Sequence, residues 1–233
     1  MTNLVPIFQQ CILCGHCTTA DIALCAECAL ELPYPECACK RCGVELGPIP
    51  PVHGYCGRCL SEPPSFDHCI AAFRYEFPVR ELIAGFKFHA GFGEGRTLAR
   101  LLAERATQAF ETIGKPQRLL PIPLHASRLR ERGFNQSIEL ARVIGQHCGI
   151  TVDTSYCRRS RATPTQKGLS AEERATNLRN AFTLHGECAG GTLRHVAIVD
   201  DVVTTMTTVD TLARVLRHAG VTRIDVLCLA RVS

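Results

Sequence analysis

The chain has 233 residues, a net charge of +4, 46% hydrophobic and 21% charged residues, and no unbroken run of 18 apolar residues. Those proportions suit a globular protein that buries its own core, which excludes a disordered chain, a helical membrane span and a small scaffold held only by disulfides. The charge is uneven: residues 1–65 carry −3 and the rest +7, with 11 Lys/Arg against 5 Asp/Glu between Arg118 and Arg179. A basic body points to an anionic partner, phosphates or nucleic acid, unless it is simply a solvated face.

The chain opens with cysteine. Ten of its 15 cysteines lie between Cys11 and Cys59. The opening MTNLVPIFQQC lacks a basic stretch and a long apolar stretch, so no secretory leader is expected and a reducing, cytoplasmic setting is. Four C-x-x-C pairs recur, Cys11/Cys14, Cys25/Cys28, Cys39/Cys42 and Cys56/Cys59. Two residues between thiolates let one turn present both sulfurs to a tetrahedral ion, so structural zinc is expected. Eight thiolates suit two sites, or one site and a degenerate one. Cys17 and Cys37 leave the register open, because Cys14/Cys17 is also such a pair. A closed four-sulfur site supplies folding energy and no open position for chemistry. Two of them would make residues 1–65 still more acidic.

Pro-rich SEPPSFD, Ser61–Asp67, predicts the boundary between a cysteine-rich zinc-binding domain (1–65) and an α/β domain (66–233). Strands are predicted at Cys69–Tyr75, Arg118–Ile122, Thr151–Cys157, Val196–Val199 and Ile224–Ala230. Helices are predicted at Val79–His89, Glu94–Phe110, Gln136–Cys148, Ala171–Leu178 and Thr207–Ala219, the last with Gly220 as C-cap. Ser160–Gly168 reads as polar and irregular. Alternating strands and helices predict a mostly parallel sheet covered on both faces.

The sharpest chemistry lies in VAIVDDVVTTMTTVDTLARVL, Val196–Leu216. An apolar strand is expected to end in Asp200 and Asp201, followed by Thr204, Thr205, Thr207 and Thr208 and then a helix. Free N–H groups at a helix start, joined by hydroxyls, suit a phosphate; carboxylates at the strand end suit sugar hydroxyls. The plainer alternative is a capped helix beside two solvated acids. Phe88, Phe92 and Phe134 flank basic residues and are either core or rings that stack on bases.

This segment resembles the phosphoribosyl pyrophosphate (PRPP) motif of type I phosphoribosyltransferases. With the four knuckles, FKFHAGF (Phe86–Phe92), PIPLHASRLRERGFNQ (Pro121–Gln136) and RATPTQKGLSAEERATNLRNAF (Arg161–Phe182), the whole chain resembles the ComF family, its GntX-like branch most closely. The resemblance implies a type I phosphoribosyltransferase-like domain behind a zinc finger, and an association with uptake or use of external DNA. It makes Asp200 and Asp201 the catalytic-type acids and Thr204–Thr208, Lys87, Pro123 and Leu124 the PRPP contacts. Arg128, Arg132, Asn135, Gln136, Arg161, Gln166, Arg174 and Asn177 become anion-binding or hood residues. Where the family pattern has glycine after the two threonines, this chain has Met206, which is expected to take an ordinary first-turn helical conformation. The implied partners are PRPP or a related phosphosugar, with Mg²⁺ if catalysis occurs, single-stranded DNA, and proteins of the uptake machinery, without membrane insertion. Alternatives are a true phosphoribosyltransferase acting on an unidentified acceptor and a zinc-dependent protein-interaction module.

Overall fold

The computed structural model describes residues 9–18, 22–89, 91–159, 181–185 and 193–233. The cysteine-rich part contains a short ribbon, β1 (Gln9–Gln10) with β2 (Cys17–Thr18), and two one-turn helices, α1 (Ala26–Leu30) and α2 (Gly57–Ser61). The α/β part follows as β3 (His68–Arg74), α3 (Val79–Phe88), α4 (Phe92–Ile113), β4 (Arg118–Pro121), α5 (Ala126–Arg132), α6 (Gln136–Cys148), β5 (Thr151–Val152), β6 (Cys157–Arg159), β7 (Phe182–Leu184), β8 (His195–Val203), α7 (Thr207–His218) and β9 (Arg223–Arg231).

Five strands form one parallel sheet in the order β3-β9-β8-β4-β5. The central strands β8 and β9 are nearly continuous apolar runs, as strands covered on both faces must be. One face carries α3, α4 and α6 over Ala197, Val199, Leu227 and Leu229. The other carries α7 over Val196, Ile198, Val226 and Cys228. The expected parallel α/β architecture with a preceding cysteine-rich part is what the chain adopts. Among the described residues no helix is long and apolar enough to cross a membrane.

The cysteine-rich part contributes to both cores. Cys11, Leu24, Cys25 and Leu32 join the α3/α4 side, whereas Cys39, Cys42 and Cys59 join the α7 side. Around the Pro-rich stretch, Phe66 is fully buried, the Ser65 N–H donates to Asp210 at 2.6 Å, and Arg217 bonds Asp67 at 2.6 Å. At the N-terminal edge of the sheet, buried Asp225 meets His195 at 2.6 Å and His68 at 3.0 Å.

Several local expectations need correction. β8 continues past Val199 to Val203, because Val202 and Val203 keep the ladder to Ala230 and Arg231. The strand expected over Thr151–Cys157 breaks after Val152, where Asp153 Oδ1 accepts the N–H groups of Ser155 and Tyr156 and turns the chain. Its second half becomes β6, antiparallel to β7 in a separate ribbon. The short helix α5 has no counterpart in the sequence prediction; His125 Nδ1 accepts the Ser127 N–H at its start, and Gly133, at φ +79°, closes its end. α4 starts two residues before its predicted beginning and runs to Ile113. Ala219 caps α7, and Gly220 is the residue beyond. The predicted Ser160–Gly168 and Ala171–Leu178 segments lie outside the described residues.

Candidate functional site

The site is built at the C-terminal end of the sheet. Asp200 and Asp201 sit within β8, three residues and two before its end. Asp200 Oδ1 accepts the Ser137 hydroxyl at 3.3 Å and the Asp201 N–H at 2.9 Å. Ser137 is placed there by α6, whose start Asn135 caps: its Oδ1 takes the Ser137 N–H at 3.0 Å, and its Nδ2 donates to Ile122 O at 3.0 Å. Asp201 Oδ1 pairs with Lys87 Nζ, from the last turn of α3, at 2.9 Å. Burial first, and the Asp201 charge second, push the Asp200 carboxyl up to about 7; the Asp201 N–H, Lys87 and Ser137 pull it back only partly. A carboxyl that titrates near neutrality beside a second acid is suited to binding and proton placement at neutral pH.

The loop after β8 leads into α7. Thr204 and Thr205 are exposed, and the Thr205 and Thr207 hydroxyls lie 2.8 Å apart. The first turn of α7 has no side-chain cap, and a notch of about 30 Å³ beside it is lined by Asp200 and the Thr204–Val209 segment. A donor-lined notch at a helix start suits a phosphate.

Met206 does not take the helical conformation expected for it. It is the one described non-glycine residue at positive φ, +66°, and its side chain is only 5% exposed in the α7-side core. The position therefore demands the left-handed backbone that glycine adopts freely, and methionine holds it by burying its side chain. Met206→Gly relieves about 1 kcal/mol of backbone strain but loses about 2–3 kcal/mol of burial. Met206→Ala loses most of the burial and keeps the strain. Chemical denaturation is thus expected to rank wild type above Met206→Gly and Met206→Ala lowest; alanine above glycine would refute this account.

The other residues expected at the site divide. Pro123 and Leu124 line a cavity of about 500 Å³ with Asn135, Arg158 and Arg159. Arg128 is exposed on α5. Arg132 bonds the buried Gln136 Oε1 at 3.0 Å. Arg161, Gln166, Arg174 and Asn177 lie outside the described residues. Three neighbours have no place in the sequence reading: Ser137, Arg159, whose charge interacts with Asp200, and Arg231. Arg231, 7% exposed, donates to Cys42 O at 3.0 Å, Val203 O at 3.0 Å and Thr204 O. It ties the second cysteine group to the threonine loop. Its one available signal is a charge closing the apolar run Val226–Ala230. A larger cavity, about 710 Å³, lies between the second cysteine group, β3 and α4, with no member of the acidic loop in its wall.

The eight paired cysteines gather into Cys11/Cys14/Cys25/Cys28 and Cys39/Cys42/Cys56/Cys59, all sulfurs within 4.8 Å of one another in each group. Cys14 and Cys25 sulfurs are 3.7 Å apart and those of Cys42 and Cys56 3.6 Å. Sulfurs about 2.3 Å from a tetrahedral zinc stand about 3.8 Å apart, so both groups fit that ion. Cys17 lies in β2 and Cys37 beside Glu45, outside both groups, which resolves the register.

No protein-family model matches the chain. It is 37% identical over 228 residues to competence protein F of Haemophilus influenzae, covering 95% of this chain and 96% of that protein. It is 36% identical over 211 residues to the DNA utilization protein YhgH of Salmonella typhi, covering 89% and 90%. Among solved structures it is similar to the hypoxanthine phosphoribosyl transferase of Trypanosoma cruzi, at TM-score 0.39 and 18% identity, over 60% of this chain and 66% of that one.

Proposed function

The chain belongs to the ComF family, that of competence protein F and the YhgH DNA utilization proteins, and on that premise we propose that it acts in the uptake or use of external DNA through a PRPP-type pocket at the end of β8. The observation that carries this reading is the enclosed Asp200–Asp201 pair, with Lys87 at 2.9 Å, beside an uncapped helix start and its threonine loop. In it the carboxylates hold ribose hydroxyls of PRPP or a related phosphosugar, the Thr204–Thr208 loop takes the 5-phosphate, and Lys87 with the Pro123–Leu124 loop meets the pyrophosphate. Arg128, Arg130 and Arg132 offer single-stranded DNA a basic surface. Zinc in the two four-cysteine groups is structural. Proteins of the uptake machinery are further expected partners, in a compartment where thiols stay reduced.

The cavity beside Pro123 and Leu124 favours a second reading, transfer of phosphoribose to an acceptor. There the acceptor's lone pair forms a bond to the anomeric carbon while the carbon–oxygen bond to pyrophosphate breaks. Pyrophosphate departs with that electron pair and with the Mg²⁺ that accompanied the substrate, and the acceptor's proton passes to water. The adjacent carboxylates stabilise the positive charge that develops on the sugar.

Calorimetric titration with Mg²⁺-PRPP tests the pocket. Asp201→Asn removes the partner of Lys87 and a ribose acceptor, and is expected to weaken binding about tenfold or more. Equal affinity in both proteins would sink the reading. Pyrophosphate release with a nucleobase present, lost in Asp201→Asn, would select the catalytic version. Binding of neither PRPP nor DNA would leave the interaction-module alternative.

A further inference from the structure

Three phenylalanines meet, and one of them, Phe86, is next in the chain to Lys87, the partner of Asp201. Phe92 and Phe134 have ring centroids 4.9 Å apart, and Phe86 lies 5.6 Å from Phe134 and 6.4 Å from Phe92. Phe86 is the buried footing, packed so closely on Gly95 that a β-carbon there would fall 2.5 Å from its ring. Phe92, in contrast, is 52% exposed, and Phe88 is 63% exposed with the Arg132 guanidinium 5.3 Å over its ring. Between Phe86 and Phe88 stands Lys87, which reaches in to Asp201.

Two large exposed rings at the junction of α3 and α4, Phe88 ending one helix and Phe92 opening the next, mark an interaction surface. Here the surrounding charge selects the partner. Arg128 and Arg130 are exposed on α5, and neither they nor Arg132 forms an ion pair within 4.0 Å among the described residues. Glu131 is the acid on that helix. Flat apolar rings next to guanidinium groups that meet no carboxylate among the described residues match unpaired bases on a polyanionic backbone, because every base has a stackable face and every linkage a negative charge.

We propose that Phe88, Phe92 and Arg132 form a stacking platform for the bases of single-stranded DNA, with Phe88 next in the chain to Lys87, the partner of Asp201. The proposal rests on the DNA-handling reading above and adds the surface and the contact chemistry to it. The arginines supply the salt-dependent part of the affinity, and the rings supply a part that needs bases.

The experiment compares two probes of equal length on the full zinc-loaded protein: an oligothymidylate of about 20 nucleotides and its abasic counterpart, which keeps the phosphates and lacks the bases. Phe88→Ala with Phe92→Ala is expected to weaken oligothymidylate binding about tenfold or more while leaving abasic binding and the salt dependence unchanged. Phe88→Trp in the Phe92→Ala background should restore most of the loss, which a merely structural role would not. Unaltered oligothymidylate binding by the double variant overturns the platform while leaving the DNA reading intact. Failure of the wild type to bind either probe overturns both. Loss of self-association in the double variant, with DNA binding unchanged, also overturns the platform and assigns the rings to a second copy of the chain.

Discussion

Cys39→Ser is expected to release one equivalent of zinc and to lower the thermal midpoint by about 10 °C or more, whereas Cys17→Ser changes neither. Cys39 is 1% exposed, its sulfur accepts the Cys56 N–H at 3.3 Å, and it sits in the α7-side core. Without the ion the four thiols no longer have a common charge to face, and this loop stops covering the sheet. The effect reaches the threonine loop. Arg231 is anchored on Cys42 O on one side and on Val203 and Thr204 on the other, so losing the second cysteine group frees a guanidinium that positions the loop. PRPP affinity should fall together with the metal. Cys11→Ser, in the group that joins the α3/α4 side, should also shed one zinc but spare PRPP affinity. Metal analysis, calorimetry and titration on the three variants provide the check. Retention of both ions with an unchanged midpoint in Cys39→Ser would show that the sulfurs merely fill space.

Asp200→Asn is expected to stabilise the protein at pH 8, by up to about 4 kcal/mol, and to change little at pH 4. The folded carboxyl titrates near 7, above the unfolded value near 3.9. Between those values the native state holds a proton that the unfolded chain has released. The protonated state's advantage is complete below about pH 4, falls as pH rises, and is gone above about 7, where the wild type must keep an enclosed charge beside Asp201. Asparagine retains an oxygen for the Ser137 hydroxyl and the Asp201 N–H and carries no charge. The same variant should lose PRPP affinity, the expected trade between stability and a strained binding group. Denaturation midpoints across pH 4–8 decide it: parallel curves for wild type and variant would mean that Asp200 is ionised at no cost.

Much of the fold was legible because its signals are local. Apolar runs marked the central strands, 3.6-residue periodicity marked α6 and α7, and C-x-x-C spacing marked the sulfurs that meet. What was missed depended on partners distant in the chain. The last residues of β8 are strand because β9 lies beside them. α5 is about two polar turns, with no buried residue and therefore no apolar stripe to read. Phe88 and Phe92 are open to two readings in a window of sequence, core or stacking ring, and only the tertiary packing leaves them exposed while Phe86 is buried.

The candidate site divides in the same way. By itself, the sequence determined the residue types: two acids, a run of threonines, a helix behind them and eight thiols in pairs, since each is a short-range pattern with its own chemistry. Tertiary structure alone decided the energetics. It enclosed Asp200, brought Lys87 across from α3 to Asp201, divided the cysteine groups between two cores and set Arg231 between the second cysteine group and the threonine loop. It also placed Met206 at positive φ, because burying its side chain in the α7-side core offsets a backbone conformation that no local preference of methionine supplies.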